Sequence, residues 1–341
     1  MSSYQTQTLT FTHTDSLTEA KFSSDNNYIV TTSNDNSAKI WSAKSGKLLV
    51  TLKHMARVVT ANFSDDNTRV ITSSEDKTAK LWAVKSGQLL ATLKHKDSVY
   101  SAKFSPDKKS IVTISDDKTA KLWVAKSGQP LLTLEHDRVV NDGNFSSDSN
   151  YLLTASGNIY GGAALAILWE VKKGTQLRTF QHEDKVHKAK FSSDDSLILT
   201  ASQDKTAKLW ETKSGQMLFS FEHEAYVTQA GFSFDNSKII TASYDKTVKL
   251  WDVKSGKMLM NLQHEAIVNT AKFFLEDKYI LTASDEKAAK LWETKTGKLL
   301  ATFPHNENVR DISFSSDNNF ILTASLDNTA KLWDIKELIK T

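Results

Sequence analysis

Tryptophan recurs along this 341-residue chain at a nearly constant spacing, and this spacing constrains the fold more than any other feature. Six of the seven gaps between successive tryptophans are 41 residues, and the remaining gap is 46. The eight positions are Trp41, Trp82, Trp123, Trp169, Trp210, Trp251, Trp292 and Trp333. A fixed period of this length is typical of an array of supersecondary units rather than of two separate domains. We therefore expect residues 1–341 to form one domain of eight repeats, with a five-residue insertion in the fourth, around residues 157–162.

Each repeat has the pattern of four short strands, as one unit shows. Val186–Phe191 alternates apolar residues towards its end, and Leu197–Ser202 is apolar enough to be buried on both faces. Thr206–Glu211 and Gln216–Glu222 follow, each after turn-forming residues. A single four-stranded sheet cannot bury both of its faces, whereas sheets packed radially can. The sequence therefore predicts an all-β fold, a single closed eight-bladed β-propeller with four-stranded antiparallel blades.

The two ends of the chain are expected to complete one blade together. After Trp333 no convincing fourth strand remains, but Thr6–Thr12 aligns with the fourth strands that precede His54 and His95. The sequence thus predicts that the N-terminal strand completes the last blade, an arrangement that removes an exposed strand edge.

The repeats resemble WD40 repeats, and their TASxDKTAKLW core is closest to the versions common in bacteria. The resemblance covers essentially the whole chain in eight in-register copies. Two positions depart from the family pattern. The Gly that usually precedes the repeat His is replaced in every copy, and the Asp after Trp is kept only as Asp252 and Asp334. Both positions vary widely within the family.

Each repeat also carries the residue types of a hydrolytic triad. A His lies 28 residues before each Trp, or 33 before it in the fourth repeat, and Thr and Ser recur between them; six repeats add an Asp six residues before Trp. A catalytic site needs one such set in one cleft, so near-copies in all repeats predict a structural role. The WD40 resemblance implies that Trp, Ser or Thr, His and Asp are hydrogen-bonded and hold the turns of a blade together. The residues assigned to this tetrad are His54, Asp76, Trp82, His182, Asp204, Trp210, His223, Asp245 and Trp251.

The sequence leaves three features of the tetrad undecided. Either Thr or Ser could complete it, since both face the same side of their strand. The seventh repeat has Glu286 where the Asp belongs. The fourth repeat has no such acid, so His136 must find another partner or a water molecule.

Comparison of the eight copies separates recurring positions from variable ones. Counting from the His, the fourth residue is Val or Leu, the seventh is nearly always Ala and the ninth is always Phe. The interval is three residues from the fourth position to the seventh but two from the seventh to the ninth, so the alternation of the strand shifts once. This shift predicts a β-bulge at the start of the first strand, which changes the direction of the neighbouring side chains. The variable residues lie near the bulge and just before the Asp that precedes Trp by six residues. The resemblance implies that both sets surround the central channel on the usual partner-binding face. With the inserted loop, the candidates are Arg57, Tyr100, Tyr160, Lys185, His187, Tyr226, Tyr244, Ile267, Arg310 and Leu326.

These candidates favour a binding function. Aromatic and Arg side chains supply interaction hot spots, so we expect a non-enzymatic scaffold that binds a protein or peptide through the rim. One alternative is a platform for nucleic acid or an anionic surface, although a net charge of only +3 disfavours it. Others are an enzyme that uses the rim around the channel, and an engineered or orphan propeller with no dedicated partner.

The remaining sequence signals are negative. No phosphate-binding loop, hydrolase elbow or metal-ligand motif occurs, and the chain has no Cys, so we expect no cofactor and no metal. The first residues lack the basic and apolar regions of a signal peptide, and no apolar run approaches a membrane span. We therefore expect a cytoplasmic, monomeric protein that does not associate with membranes.

Overall fold

The computed structural model describes residues 6–157 and 162–339, and their strands form eight four-stranded antiparallel sheets arranged as blades around a central channel. Seven blades each use four consecutive strands, and the eighth joins the last three strands to the first. The predicted all-β, eight-bladed, closed propeller is therefore confirmed.

The strands of each blade follow one another from the channel to the outer edge. The innermost strands are β2 (Leu17–Phe22), β6 (Val58–Phe63), β10 (Val99–Phe104), β14 (Val140–Phe145), β18 (Val186–Phe191), β22 (Val227–Phe232), β26 (Val268–Phe274) and β30 (Val309–Phe314). The second strands are β3 (Tyr28–Ser33), β7 (Arg69–Ser74), β11 (Ser110–Ser115), β15 (Tyr151–Ser156), β19 (Leu197–Ser202), β23 (Lys238–Ser243), β27 (Tyr279–Ser284) and β31 (Phe320–Ser325).

The outer half of each blade is equally regular. The third strands are β4 (Ser37–Ser42), β8 (Thr78–Ala83), β12 (Thr119–Val124), β16 (Ala164–Glu170), β20 (Thr206–Glu211), β24 (Thr247–Asp252), β28 (Ala288–Glu293) and β32 (Thr329–Asp334). The outermost strands are β5 (Leu48–Lys53), β9 (Leu89–Lys94), β13 (Pro130–Glu135), β17 (Thr175–His182), β21 (Met217–Glu222), β25 (Met258–Gln263), β29 (Leu299–Pro304) and, in the last blade, β1 (Thr6–Thr12).

The hydrophobic core is divided among the spaces between neighbouring blades. Trp82 on β8 packs in one such space with Ile40 and Leu52 of the preceding blade and Val58 of its own. The other tryptophans occupy equivalent clusters. Because each cluster draws on two blades, burial of apolar surface holds the blades to one another and stabilises the ring as a whole.

The first strand closes the ring. β1 pairs antiparallel with β32, with Phe11 opposite Ala330. Phe11 is fully buried, and its ring centroid lies 5.4 Å from that of Trp41 in the first blade. The segment thus completes the sheet of the last blade, as the sequence predicts. It also fills the core between the last and first blades.

Seven of the eight repeats have a glycine in the turn after the third strand, and its conservation among the copies has a steric explanation. Gly128 has a φ of +70°, in the region that L-residues rarely adopt. A Cβ atom at this position would lie 2.5 Å from the Cβ of Ala91 in the preceding blade. The turn therefore packs closely on its neighbour because the residue has no side chain.

Candidate functional site

The repeated His, Thr, Trp and Asp side chains form one connected hydrogen-bond network in each regular blade. His54 Nδ1 lies 2.8 Å from Asp76 Oδ2, and His54 Nε2 lies 2.8 Å from Thr72 Oγ1. Trp82 Nε1 donates to the same Thr72 hydroxyl at 2.9 Å. Thr is therefore the residue that joins Trp to His. Ser74 instead accepts from the backbone N–H of Asp76 and donates to the carbonyl of Ala56, both at 3.0 Å.

The same contacts recur in five further blades, around His13, His95, His182, His223 and His305. The sets assigned from the sequence around His182 and His223 contain Asp204 with Trp210 and Asp245 with Trp251, respectively.

The charge states follow from burial and hydrogen bonding. Burial lowers the pKa of the His54 imidazole, although Asp76 opposes this shift. Burial alone would raise the pKa of Asp76, but hydrogen bonds from His54, the Met55 N–H and Thr78 together hold it well below its ordinary value. His54 is thus neutral and Asp76 ionised near neutral pH. In that state Trp82 donates to Thr72, Thr72 to His54 and His54 to Asp76, so the network is saturated and has a structural geometry.

In the fourth blade a backbone carbonyl takes the place of the acid. His136 Nδ1 lies 3.0 Å from the carbonyl oxygen of Leu134, and its Nε2 lies 2.8 Å from Thr154 Oγ1. Trp169 still donates to Thr154 at 2.9 Å. Burial lowers the pKa of His136 to about 4, partly opposed by the Leu134 carbonyl. The Trp–Thr–His connection therefore survives the insertion without an Asp.

The variable positions identified from the sequence lie next to one another at one end of the strands. The predicted bulge is present in all eight innermost strands, where the register shifts directly after the first Val or Leu. A backbone hydrogen bond joins the two variable sets within each blade. In the sixth blade, for example, the N–H of Tyr244, just before the turn Asp, donates to the carbonyl of Tyr226, just before the first Val of the innermost strand, at 2.9 Å. Both variable sets therefore share one face, here called the rim face, and the turns after the innermost strands lie at the opposite face.

We define the rim as the candidate residues on this face that the structure describes. They are Arg57, Tyr100, Lys185, His187, Tyr226, Tyr244, Ile267, Arg310 and Leu326. The remaining candidate, Tyr160, lies outside the described residues.

The rim has an exposed aromatic pair. The rings of Tyr226 and Tyr244 have centroids 5.7 Å apart and an interplanar angle of 35°. Each ring is about two-fifths exposed, at 41% and 43%. Ile267, in the next blade, and Leu326 are half-buried. Two tilted, partly exposed rings in contact form a surface that can contact a partner with little loss of side-chain entropy.

The charged rim residues are accompanied by acids. Arg57 Nη1 lies 3.3 Å from Glu75 Oε1. Arg310 Nη1 donates to Asn269 Oδ1 at 2.9 Å and lies 3.5 Å from Asp285 Oδ1. The rim therefore presents paired charges of both signs rather than a continuous basic surface.

Tyr100 and Lys185 share a third acid, Asp116. Burial, with the neighbouring Asp116 carboxylate, raises the pKa of the Tyr100 hydroxyl. Burial also raises the pKa of Asp116, although Tyr100 and Lys185 oppose this shift. Burial lowers the pKa of Lys185, which Asp116 opposes.

His187 differs from the eight repeated histidines. Burial first, and then the charges of Lys185 and Lys188, lower its pKa to about 4, so it is neutral at physiological pH. Within the described part of the chain its ring makes no hydrogen bond or ion pair.

The structure also identifies a rim-face residue that the sequence comparison missed. Met55 follows the repeat His and is 85% exposed. Its position varies among the eight copies as the selected positions do, and that variation was the signal available in the sequence. Among residues 6–157 and 162–339 no group of His, Asp or Glu side chains could hold a metal ion, and no helix is long and apolar enough to cross a bilayer.

Comparison with known proteins supports the architecture. The family model described as WD domain, G-beta repeat matches residues 5–42, 46–83, 87–124, 174–211, 215–252 and 297–334. These segments cover about two thirds of the chain. The unmatched stretches include Trp169 and Trp292, so they coincide with the two repeats that lack the Asp.

Two further comparisons gave different outcomes. None of the curated proteins matches it. Among solved structures, the crystal structure of the computationally designed Ika8 protein superposes with a TM-score of 0.85 at 25% sequence identity. The superposition covers 96% of this chain and 99% of that one.

Proposed function

The chain belongs to the WD40 repeat family, and from this premise we propose that it is a non-enzymatic scaffold that binds a protein or peptide through the rim. The observation that carries the proposal is the exposed pair of tilted rings, Tyr226 and Tyr244, on an otherwise regular framework. Tyr side chains of this kind are common interaction hot spots.

The charge pattern of the rim favours a protein partner over nucleic acid. Arg57 and Arg310 each have a carboxylate within 3.5 Å, which would repel a phosphate backbone. Paired charges around an aromatic centre instead complement a surface that carries both signs. Nucleic acid is therefore the alternative outcome of the test below and not part of the proposal.

The burial of the His–Asp pairs supports the non-enzymatic part of the proposal. The His–Asp pairs are buried inside the blades and make hydrogen bonds with neighbouring side chains, so they have no access to a substrate. Since β1 and β32 close the ring within one chain, we also propose that the protein acts as a monomer.

The test is affinity capture with three forms of the protein followed by direct binding of each captured component. The first is the wild type and the second carries Tyr100→Ala, Tyr226→Ala and Arg310→Ala. The third carries Phe234→Ala, a matched control because Phe234 is 78% exposed in a turn on the opposite face. A protein retained by the wild type and the control but lost from the rim variant supports the proposal. Retention by all three forms, or binding abolished by nuclease treatment, overturns it.

A further inference from the structure

The central channel contains more lysines than carboxylates. Its cavity of about 350 Å³ is lined by side chains from all eight innermost strands. The lysines are Lys21, Lys103, Lys188, Lys190 and Lys272, and the carboxylates are Glu19, Asp142 and Asp311.

Each carboxylate of the channel is already paired with a lysine. Lys21 Nζ lies 2.6 Å from Glu19 Oε1, and Lys272 Nζ lies 3.2 Å from Asp311 Oδ1. Lys103 Nζ lies 3.0 Å from Asp142 Oδ1. Three of the five lysines are thus neutralised by direct contact.

Lys188 and Lys190 have no such partner. They are two residues apart on β18, so their side chains leave the same face of the strand, and both line the channel cavity. Across the described ranges neither side chain makes a hydrogen bond or an ion pair. The carboxylate of Asp142 interacts electrostatically with both, but its side chain is only 2% exposed and already accepts from Lys103 and Asn144. One carboxylate among three lysines leaves two positive charges uncompensated.

The electrostatic environment of Lys190 is consistent with this excess. Burial lowers its pKa to about 8; Asp142 opposes the shift, and the charges of Lys272, Lys188 and Lys103 add to it. Lys190 still carries a charge at neutral pH. Enclosed charges without a counter-charge are unfavourable, and a bound anion would relieve that cost.

A ligand can reach Lys190 from the face opposite the rim. A groove of about 910 Å³ at that face is lined by Lys190 and Lys272 together with Phe191, Phe232 and Phe314. Gly231 lies between the two lysines in the ring, at the equivalent position of β22. A Cβ atom there would have only an ordinary contact, 3.7 Å from Ile240 Cγ2, so the missing side chain opens the groove towards the channel.

We propose that Lys188 and Lys190 bind an oxyanion, a phosphate or carboxylate group, inside the central channel. Two ammonium groups on one strand supply charge-assisted hydrogen bonds to such a group. The aromatic wall of the groove accommodates an apolar substituent on it. Tyr100 and Arg310 of the rim line the same cavity. The variants below leave every rim residue unchanged, so their test does not depend on the proposed scaffold function.

The experiment measures binding of inorganic phosphate and of N-acetylphenylalanine to the full chain by calorimetry and by thermal unfolding, with chloride added to keep the ionic strength constant. The wild type is expected to bind at least one of the two anions and to unfold at a higher temperature in its presence. Tighter binding of phosphate assigns the site to a phosphate group, and tighter binding of N-acetylphenylalanine assigns it to a carboxylate beside the aromatic groove.

Three variants complete the design. Lys188→Met with Lys190→Met should weaken binding by roughly tenfold or more, since charge-assisted contacts are lost. Lys190→Arg should retain binding, and Lys126→Met, which removes an exposed lysine from the turn between β12 and β13, should behave as the wild type. Because Lys188 and Lys190 make no ion pair, the double variant should stay folded in chloride. The proposal is overturned if the wild type binds neither anion, or if a folded double variant binds as tightly as the wild type.

Discussion

His264 Nδ1 lies 2.5 Å from Oε1 of Glu286, and the other ring nitrogen of His264 is buried without a hydrogen-bond partner among the described residues. The side chain of Glu is one methylene longer than that of Asp, so its carboxylate holds the imidazole away from Thr282. The centroid of the His264 ring lies 5.3 Å from that of Trp292, compared with 6.4 Å for His223 and Trp251 in the preceding blade. Trp292 still donates to Thr282 at 2.9 Å, so the network is broken only between Thr and His.

Glu286→Asp is therefore expected to stabilise the protein. The shorter carboxylate would let His264 reach Thr282 and satisfy its buried nitrogen, a group whose lack of a partner costs about 1–3 kcal/mol. The variant also loses the 2.8 Å contact between Lys290 and Glu286, so we expect a net gain of about 1 kcal/mol. The free energy of unfolding in urea measures the gain.

The reciprocal change in the sixth blade is the control. Asp245→Glu should destabilise the protein by a similar amount, because His223 would lose its 2.8 Å contact with Thr241. If both substitutions shift the free energy of unfolding in the same direction, the steric explanation is wrong.

Phe11→Ala is expected to destabilise the ring by about 3–5 kcal/mol, the usual cost of removing a buried aromatic side chain. Phe11 belongs to the core between the last and first blades, so its loss weakens the closure. Thr12→Ala is the control because Thr12 lies exposed on the same strand. Deletion of residues 1–12 should lower the thermal stability further, and unchanged stability after that deletion would contradict closure by β1.

Acid should destabilise the protein below pH 6.5. Burial lowers the pKa of His13, His54, His95, His182 and His305 from the ordinary value of 6.5, so the unfolded chain binds protons more readily than the folded protein. The stability that depends on these groups is complete above pH 6.5 and is lost as the pH falls through their folded values. A second loss is expected below pH 3.8, since hydrogen bonds outweigh burial and hold the pKa of Asp35 and Asp117 at about 2.

His136 allows the acid destabilisation caused by one buried histidine to be measured separately. Its folded pKa of about 4 makes its contribution fall between pH 6.5 and pH 4. In that window the free energy of unfolding of the wild type should fall more steeply than that of His136→Gln, by up to about 1.4 kcal/mol per pH unit for one proton. Urea unfolding at intervals between pH 8 and pH 4.5 measures the two slopes. Parallel curves across this range would show that His136 does not resist protonation.

The regular part of the fold follows closely from the sequence. Within one repeat the first three predicted strands have the observed bounds, and the fourth begins at Met217, one residue after the predicted start. The bulge is also predicted correctly, because the spacing of apolar residues directly records which side chains face the core.

The individual contacts do not follow from the pattern. Thr72 and Ser74 face the same side of one strand, and only the observed distances show that Thr72 joins Trp82 to His54. The excess charge of Lys188 and Lys190 likewise depends on which acids already have partners, a three-dimensional relationship between strands far apart in the chain.

The role of the lysines two residues before Trp, by contrast, does follow from the sequence pattern. Their regular recurrence predicts a scaffold position, and Lys80 Nζ lies 5.7 Å from the centroid of the Trp82 ring and 3.0 Å from the Lys53 carbonyl. Six further lysines occupy the same position over their own tryptophans. Repetition thus identifies framework residues well, whereas residues that occur once need the structure.

The affinity of a purified partner for the wild type and for the rim variant tests the central claim most directly. The Kd should rise by roughly 30-fold or more in the protein with Tyr100→Ala, Tyr226→Ala and Arg310→Ala, since a single hot-spot residue contributes about 2 kcal/mol or more. The free energy of unfolding should stay close to that of the wild type, and Phe234→Ala should bind normally. An unchanged Kd in the folded rim variant, with weaker binding by Phe234→Ala, would contradict the account and assign the partner to the opposite face.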